Sequence, residues 1–362
     1  MKNITLIAGA RPNFMKIAPI IHAIHKAQKE GENINYRLIH TGQHYDKKMS
    51  GDFFEQLEIP APHKNLEAGG GTQAEQTANI MMRFEAELIE NPTDLVLVVG
   101  DVTSTMACAI TAQKLHTKVA HVEGGIRSND WTMPEEINRL VTDAISNYFF
   151  TTSELANENL KKSGIKDDQI FYVGNTMIDT LLKQKPRFKA PPVWNELKLE
   201  EKNYIVMTLH RPANVDEESK LKKLIDEIIE HSEGIPLIFP VHPRTAKMIK
   251  ALGISHERLH MIEPLGYLEF NYLVENSKAV ITDSGGITEE TTVMGIPCMT
   301  LRDNTERPET ISQGTNELLG TDPKAIAPAL KVLFSDNWKK GSIPKLWDGN
   351  TAKRIVEILC KL

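Results

Sequence analysis

The sequence predicts an α/β protein made of two Rossmann-like domains, each with a doubly wound parallel sheet. Short apolar runs rich in β-branched residues alternate with helical stretches along the chain, and Gly-containing loops join many of these runs to the next helix. This alternation is typical of parallel sheets covered by crossover helices. The chain has 362 residues, beyond the roughly 250–300 residues at which a single core stops growing, so two domains are expected.

The first half of the chain contains six predicted strands, with helices in the intervals. The strands are residues 4–8, 36–40, 95–99, 118–122, 148–151 and 170–173. The helices are residues 14–28, 72–89, 103–115, 135–146 and 154–162. In the first helix Phe14, Ile17, Ile20 and Ile24 follow helical spacing, and Pro19 is expected to kink the helix or open it locally.

The second half repeats this scheme after a connector. Residues 183–203 contain Pro186, Pro191 and Pro192 among charged side chains, a composition typical of a linker or an irregular surface segment. The predicted strands that follow are residues 204–209, 237–241, 259–262, 279–282 and 297–301. The predicted helices are residues 217–231, 244–252, 267–275 and 287–294. Two such units in succession predict a crevice between two sheets.

Composition and charge exclude several classes of protein. Hydrophobic residues make up 41% and charged residues 25% of the chain, a balance typical of globular domains. The net charge of −6 leaves no overall basic surface for nucleic acid or an anionic membrane. No apolar run approaches the ~20 residues that span a bilayer, and residues 4–8 resemble a first strand more than a signal peptide. Three widely spaced cysteines without a CxxC motif argue against disulfides and structural zinc and favour a reducing cytoplasm.

Polar and charged residues follow seven of the predicted strands. Ligands of open parallel sheets bind at the carboxyl ends of the strands, where these residues lie. Each one alone is explained by a helix cap or a turn, but seven at one edge indicate a functional site. The segments are Gly9–Pro12 followed by Lys16, Thr41–His44, Gly100-Asp101, Glu123–Arg127, His210–Pro212, His242–Arg244 and Asp283–Gly286.

The segment from Asp283 to Glu290 is the most specific of these for an anion. Its two glycines allow backbone N–H groups to approach a phosphate, and the helix that follows directs its positive end there. Ser284 adds a hydroxyl donor, and Glu290, about one turn on, is placed to accept the hydroxyls of a ribose. The alternative is a plain strand-to-helix turn with Ser or Asp as its cap.

Other nucleotide and metal motifs are missing from the sequence. Neither GxGxxG after the first strand nor GxxxxGK[ST] anywhere is present, which disfavours dinucleotide-dependent dehydrogenases and P-loop NTPases. His22 and His25 are three apart on an amphipathic helix, and Asp101 and Glu123 belong to no clustered ligand set, so we expect no metal site.

A further charged cluster, Pro134-Glu135-Glu136-Ile137-Asn138-Arg139, begins a predicted helix. Pro in the first turn and acidic residues beside it stabilise a helix start. Glu135 and Arg139 are four apart, so they share a helix face and are able to pair there.

These motifs together resemble the bacterial non-hydrolysing UDP-N-acetylglucosamine 2-epimerases. The resemblance runs in family order from about residue 4 to residue 322. It is carried by Gly9-Ala10-Arg11-Pro12, Gly100-Asp101, His121–Arg127, Pro134–Arg139, Thr208–Pro212, Pro240–Pro243, Asp283–Ile287 and Arg302–Pro308.

The resemblance implies a glycosyltransferase-B-like fold with its active site in the interdomain cleft. We expect residues 1–174 and a C-terminal helix at 350–362 to form the first domain, and residues 175–349 to form the UDP-binding second domain. By motif position, the residues implied for catalysis are Asp101, Glu123, Glu135, Arg139 and His210. Those implied for substrate binding are Arg11, Lys16, His242, Phe270 (near the uracil), Ser284, Gly285, Gly286, Glu290 and Arg307.

The implied chemistry explains these residue types. The C2 proton of a 2-acetamido sugar is not acidic, because no carbonyl at C1 stabilises a carbanion. Its removal becomes feasible when UDP departs from C1, giving 2-acetamidoglucal, to which UDP returns with the opposite configuration at C2. Such a site needs donors for the pyrophosphate and carboxylates around C2. The resemblance implies that no cofactor is required. It also implies that the protein is a homodimer and that it binds a UDP-sugar as its substrate.

Two departures from the family pattern bear on regulation. The second position of Glu123-Gly124-Gly125 is Gly where many members have Ala, a minor change. The loop at residues 69–71 is three glycines, and Asp46 stands where substrate-activated members favour a neutral side chain. We therefore expect allosteric activation by the substrate to be weak or absent.

Several functions share these motifs. A hydrolysing 2-epimerase would release free N-acetylmannosamine and UDP, and UDP-N-acetylgalactosamine is an alternative substrate. A UDP-sugar glycosyltransferase would need an acceptor surface, of which the sequence shows no sign. A non-catalytic UDP-sugar sensor would not need three carboxylates at the strand ends of the first domain.

Overall fold

The computed structural model describes residues 2–42, 54, 56–241 and 243–362, without the side chains of Arg11, Pro212, Pro243 and Arg244. The chain divides into two compact units. Unit 1 comprises Met1–Thr180 and Lys345–Leu362, and unit 2 comprises Leu181–Pro344.

Unit 1 contains a sheet of seven parallel strands in the order β3-β2-β1-β4-β5-β6-β7. The strands are β1 Lys2–Ala8, β2 Ile34–His40, β3 Lys64–Asn65, β4 Leu95–Val99, β5 Lys118–Val122, β6 Tyr148–Thr151 and β7 Ile170–Tyr172. In register, Ile4 of β1 lies between Tyr36 of β2 and Leu95 of β4. The strand order reverses between β1 and β4, so the loops that follow these two strands diverge at the point where ligands bind in this class.

Helices cover both faces of this sheet. They are α1 Arg11–Lys29, α2 Gln73–Glu90, α3 Thr103–Lys114, α4 Pro134–Ile145, α5 Glu154–Lys162 and α6 Thr176–Gln184, the last of which runs into unit 2. All five residues of β4 are buried, as expected for a parallel strand covered on both faces.

Unit 2 contains a sheet of six parallel strands in the order β10-β9-β8-β11-β12-β13. Its strands are β8 Ile205–Thr208, β9 Leu237–Pro240, β10 Leu259–Ile262, β11 Ala279–Thr282, β12 Cys298–Thr300 and β13 Asn316–Leu318. Its helices are α7 Pro192–Glu196, α8 Pro212–Val215, α9 Glu218–His231, α10 Pro243–Ala251, α11 Tyr267–Asn276, α12 Gly285–Met294, α13 Pro308–Ser312 and α14 Ile326–Phe334. Here the order reverses between β8 and β11.

Two apolar clusters flank the sheet of unit 2, because successive side chains of a strand point to opposite faces. Ile205 and Met207 of β8 belong to the cluster packed against α9 and α14. Val206 and Val280 belong to the other cluster, with Val193 and Leu199. The predicted α/β class with two parallel sheets is confirmed, but residues 183–203 are not a bare linker. They form helical turns that pack on the core of unit 2.

Helix α1 runs unbroken through Pro19. Proline has no N–H to donate to the carbonyl four residues earlier, which is that of Met15. The hydroxyl of Thr180 donates to the Met15 carbonyl at 2.6 Å instead. The helix therefore tolerates this proline because a side chain from another helix supplies the missing donor.

The C-terminal helix α15, Thr351–Leu359, belongs to unit 1 and packs against α1. The buried carboxylate of Asp179 accepts hydrogen bonds from the first backbone N–H groups of α15, at 3.1 Å from Thr351 and 2.7 Å from Ala352. The indole of Trp347, also buried, donates to the Thr152 carbonyl at 3.0 Å. In the described ranges, every helix is too short or too polar to cross a bilayer.

Candidate active site

Asn13 joins the two strand ends at the reversal point of unit 1. Its side-chain oxygen accepts hydrogen bonds from the backbone of Gly9 at 3.1 Å and Ala10 at 2.9 Å. Its amide donates to the Val99 carbonyl at the end of β4, at 3.0 Å. This buried side chain, which no motif in the sequence marks, holds the turn after β1 against the turn after β4.

Lys16 and the buried Glu123 form an ion pair beside that junction. The Lys16 Nζ lies 2.7 Å from Glu123 Oε2. The backbone of Glu123 has a φ of +71°, in the left-handed region that residues other than glycine rarely adopt. A Cβ on Gly100 would come within 3.1 Å of Lys16 Nζ, so the glycine leaves room for this pair. The structure thus brings together a cation and a carboxylate that the sequence placed in separate motifs.

Arg139, nearly fully buried, joins Asp101 to Glu136. Its guanidinium donates to Asp101 Oδ2 from two nitrogens, at 2.6 and 3.1 Å, and to Glu136 Oε2 at 2.6 Å. The side chain of Asp101 remains 28% exposed, so a carboxylate with a fixed orientation faces solvent at the end of β4. Paired donation from Arg favours the ionised form of a carboxylate.

Glu136, in contrast, has a structural role. Burial acts to raise its pKa, but the backbone of Ser128, Arg139, the Ser128 hydroxyl and the backbone of Asn129 all donate to it and hold its pKa below the usual value. Glu135, its half-buried neighbour, makes no ion pair with Arg139 in the described part of the chain. In the described part of the chain, Arg139 therefore pairs with the glutamate three residues before it, in place of the pair that the four-residue spacing allowed.

A second carboxylate that sequence reasoning missed, Asp143, supports the turn after β5. It accepts from His121 Nδ1 at 2.7 Å, from Arg127 at 2.5 Å and from the Gly125 backbone at 3.0 Å. Burial acts to raise the pKa of Asp143, but His121 and Arg127 lower it further than burial raises it. His121 Nε2 lies 2.8 Å from the Gly100 carbonyl, so this cluster also reaches the turn that carries Asp101.

His210 and Asp283 meet at the reversal point of unit 2. His210 follows β8, Asp283 follows β11, and His210 Nδ1 lies 2.7 Å from Asp283 Oδ1. Asp283 is fully buried, whereas the side chain of His210 is 63% exposed. Asp283 also accepts from the backbone N–H groups of His210 and Arg211, at 3.0 and 2.9 Å, and from Asn214 at 3.1 Å.

The start of α12 has the features of an anion site. Ser284 occupies the N-cap position, yet among the described residues no side chain caps this helix. A Cβ on Gly286 would meet nothing within 4 Å, and one on Gly285 would meet only the side chains of Arg302 and Glu306, at 3.5 and 3.7 Å. Packing therefore does not require either glycine, whereas a ligand that approaches the backbone closely would.

Glu290 lies on the inner side of α12. Tyr267 of α11 donates to its Oε1 at 2.7 Å. Burial raises the pKa of Glu290 to about 7, although the Tyr267 hydrogen bond opposes this. Phe270, one turn after Tyr267 on α11, is half-buried against the apolar cluster of unit 2 that contains Val206 and Val280. The Tyr267–Glu290 hydrogen bond thus joins α11 to α12.

Arg307 is buried and its Nε donates to Glu289. Next to it Arg302 pairs with Glu306 at 2.8 Å, and Arg211 Nη2 lies 3.9 Å from Glu306. The carboxylates Glu289 and Glu306 hold these guanidinium groups in place beside the loop that precedes α13.

Two predicted substrate-binding groups, His242 and the side chain of Arg11, lie outside the described residues. Within the described ranges, no group of three or more His, Cys, Asp or Glu side chains is arranged to hold a metal ion.

Comparison with known proteins assigns the chain to a family. A family model described as UDP-N-acetylglucosamine 2-epimerase matches residues 26–360. A UDP-N-acetylglucosamine 2-epimerase of Methanocaldococcus jannaschii is 40% identical over 369 residues, with 98% of both chains covered. A UDP-2,3-diacetamido-2,3-dideoxy-D-glucuronate 2-epimerase of Pseudomonas aeruginosa is 38% identical over 366 residues and all of both chains.

Solved structures agree with this assignment. The crystal structure of the M. jannaschii UDP-GlcNAc 2-epimerase in complex with UDP-GlcNAc and UDP superposes with a TM-score of 0.87 and 40% identity. The superposition covers 99% of this chain and 100% of the other. The resemblance read from the sequence motifs is confirmed, and the chain belongs to the UDP-N-acetylglucosamine 2-epimerase family.

Proposed function

We propose that this protein is a non-hydrolysing epimerase that interconverts UDP-N-acetylglucosamine and UDP-N-acetylmannosamine at C2. The proposal rests on the side chains that lie where the strand order reverses in each of the two sheets, in a chain that belongs to this family. Unit 1 holds oriented carboxylates there, and unit 2 holds a donor-rich helix start with an exposed histidine. Elimination of UDP across C1 and C2 requires both kinds of group.

In this scheme unit 2 binds the UDP. The N–H groups at the start of α12 and the Ser284 hydroxyl bind the diphosphate, with Gly285 and Gly286 permitting close approach. Glu290 accepts the ribose hydroxyls, and Phe270 lies against the uracil. His210, Arg307, Arg11 and His242 complete the set by motif position. The uncapped helix start and the open space beside Gly286 support this role.

The carboxylates of unit 1 carry out the proton transfers. One of Asp101, Glu123 and Glu135 removes the C2 proton as the C1–O bond to UDP breaks, and another returns a proton to C2 on the opposite face of the glucal when UDP adds again. Arg139 orients Asp101 with two hydrogen bonds, and Lys16 neutralises Glu123. Preorganised charge of this kind costs no reorganisation during the reaction.

Proton NMR of UDP-N-acetylglucosamine with the enzyme in deuterated water tests the proposal. The manno isomer should appear with deuterium at C2, and UDP should not accumulate over many turnovers. Net release of UDP and free N-acetylmannosamine would establish the hydrolysing reaction instead. Glu123→Gln should slow exchange at C2 by at least about 100-fold. Exchange at the full rate would remove Glu123 from the mechanism.

The P. aeruginosa relative favours a second candidate function, 2-epimerisation of UDP-2,3-diacetamido-2,3-dideoxy-D-glucuronate, since it covers the whole chain at 38% identity. The chemistry at C2 is the same, but that sugar carries an additional carboxylate and a second acetamido group. Comparing kcat/KM for this sugar, UDP-N-acetylglucosamine and UDP-N-acetylgalactosamine decides among the three substrates.

We further propose that the protein acts as a homodimer in the cytoplasm. Its three cysteines are free thiols, Cys108 and Cys298 among them buried, which agrees with a reducing compartment. Sedimentation velocity should give a species of twice the 40.6 kDa chain mass. A monomer at working concentration would contradict the dimer.

A further inference from the structure

Among the described residues, two Asp–His pairs lie at strand ends, and they differ in how many ring nitrogens make a contact. The pair in unit 1 is His121 with Asp143, and the pair in unit 2 is His210 with Asp283. In both, Nδ1 lies 2.7 Å from a buried carboxylate oxygen. The comparison separates a histidine fixed within the fold from one that is available to a ligand.

His121 is fully engaged. Its Nδ1 faces Asp143, its Nε2 lies 2.8 Å from the Gly100 carbonyl, and the side chain is buried. No ring nitrogen is left for a substrate. This pair therefore holds two turns together and has no access to a reacting atom.

His210 is engaged at one nitrogen only. With Nδ1 at Asp283, its Nε2 lies on the opposite edge of the ring and makes no hydrogen bond to any described residue. The side chain is 63% exposed. The same Asp–His geometry here presents a nitrogen outward, next to the start of α12.

The Asp283 carboxylate accepts several hydrogen bonds, which favour its ionised form. The backbone N–H groups of His210 and Arg211 and the Asn214 amide all donate to its carboxylate. Arg211 also donates through Nε to the Asp283 carbonyl, and its guanidinium faces Glu306. Burial acts to raise the pKa of Asp283, but these hydrogen bonds and His210 hold it below the usual value. An ionised carboxylate requires a proton on the Nδ1 that faces it.

We propose that Asp283 is a positioning residue that holds the His210 ring by its Nδ1, so that Nε2–H donates a charge-assisted hydrogen bond to the diphosphate of the bound UDP-sugar. The inference rests on the proposed function. In the neutral ring, a proton on Nδ1 leaves a lone pair on Nε2, which would repel a phosphate oxygen. In the complex, the carboxylate and the phosphate thus bind opposite edges of one protonated ring.

The test is a double-mutant cycle on UDP binding, measured by isothermal titration calorimetry. Asp283→Asn should weaken UDP binding about 10-fold at pH 7, the effect expected from one charge-assisted hydrogen bond. In a His210→Asn background, Asp283→Asn should change UDP affinity less than about 2-fold, because Asp283 acts through His210.

A control variant separates positioning from folding. Asn214→Ala removes another hydrogen bond to Asp283 and leaves His210 untouched. It should lower thermal stability while UDP affinity stays within about 2-fold of the wild type. An equal loss from Asp283→Asn in both backgrounds would overturn the inference, since Asp283 would then act through the fold alone.

A measurement on the unmodified protein covers the case in which Asp283→Asn does not fold. In the complex with UDP, nitrogen-15 NMR of the histidine rings should show His210 protonated at both Nδ1 and Nε2. An unprotonated Nδ1 or Nε2 in that complex would overturn the inference. If the wild-type protein did not bind UDP at all, the proposed function would fail, whereas normal UDP binding with an unprotonated Nδ1 would leave that function standing.

Discussion

Lys16 and the buried Glu123 lie 107 positions apart in the chain, and their side chains meet at 2.7 Å in an ion pair. Lys16 lies about one and a half turns into α1, so the pair joins this helix to the turn after β5. It is possible because Asn13 holds the neighbouring strand ends together and Gly100 leaves space above the ammonium group.

Lys16→Met should therefore be costly for stability and activity. Removing the ammonium takes a charge partner away from a buried carboxylate, which typically costs about 3–5 kcal/mol. Urea unfolding should show a loss of that order, and epimerisation should fall at least 10-fold. Lys26→Met removes an exposed lysine from the same helix and should change both by little. An equal effect of the two substitutions would contradict the role given to the ion pair.

Gly286→Ala should separate ligand binding from stability. A Cβ at this position meets nothing within 4 Å, so the free energy of unfolding should stay within about 0.5 kcal/mol of the wild type. UDP affinity should drop at least 10-fold if a phosphate approaches this backbone. Gly125→Ala is the contrasting variant. Its φ is +82° and its Cβ would come 2.3 Å from the Ala156 carbonyl, so it should destabilise the fold strongly. Unchanged UDP binding by Gly286→Ala would exclude the start of α12 as the phosphate site.

The ionisation of Glu290 predicts an acid limb in UDP binding. Burial raises its pKa to about 7, and only the carboxylate accepts both ribose hydroxyls, so UDP affinity should increase as pH rises through 7. Calorimetric titrations from pH 5.5 to 7.5 measure this limb, and Glu290→Gln should abolish it. Persistence of the limb in that variant would assign it to another group.

The same shift predicts how Glu290 affects stability. Its pKa in the folded chain is above the ordinary value of 4.5, so the folded state binds more protons than the unfolded state between about pH 4.5 and 7. The contribution of Glu290 to stability is therefore present at low pH and is lost as pH rises through 7. Urea unfolding should show that Glu290→Gln becomes more stable relative to the wild type, by about 2 kcal/mol, between pH 5 and pH 8. No change in the difference would refute this linkage.

Asp143→Asn should destabilise the turn that carries Glu123. Asp143 faces His121 and Arg127, both largely buried, so losing its charge should cost about 3 kcal/mol at pH 7. Its pKa lies below the ordinary value, so its contribution is present above about pH 4 and is lost as pH falls further. The difference in unfolding free energy between variant and wild type should therefore shrink toward pH 3. A difference independent of pH would show that packing and not charge is responsible.

Substrate saturation should follow a hyperbola with a Hill coefficient close to 1. The three glycines at residues 69–71 offer no side chain to a second UDP-sugar. Initial rates over a wide range of UDP-N-acetylglucosamine concentration measure this. A sharply sigmoidal curve would show that the enzyme is activated by its own substrate.

The pattern of apolar residues was sufficient to predict the class of fold and most strands. Short β-branched apolar runs mark parallel strands wherever helices cover both faces, as in β4. The two-residue strand β3 gave no such signal, because Lys64 and Asn65 are polar and lie at the sheet edge. The motifs after the strands were also sufficient to identify the family, since each motif retains residue types that the chemistry requires.

Which side chains meet was decided by the tertiary structure. Residues three and four apart lie on the same helix face, so spacing alone did not distinguish Glu136 from Glu135 as the partner of Arg139. The sequence determined that carboxylates, a histidine and a glycine-rich helix start occur at strand ends. Only the tertiary structure decided that Asp143 contacts a buried histidine, His121, and that Asp283 contacts an exposed one, His210. It also placed Thr180 where its hydroxyl donates to the Met15 carbonyl, which Pro19 leaves without a donor. These contacts join residues far apart in the sequence, and burial in a low-dielectric core makes each of them strong.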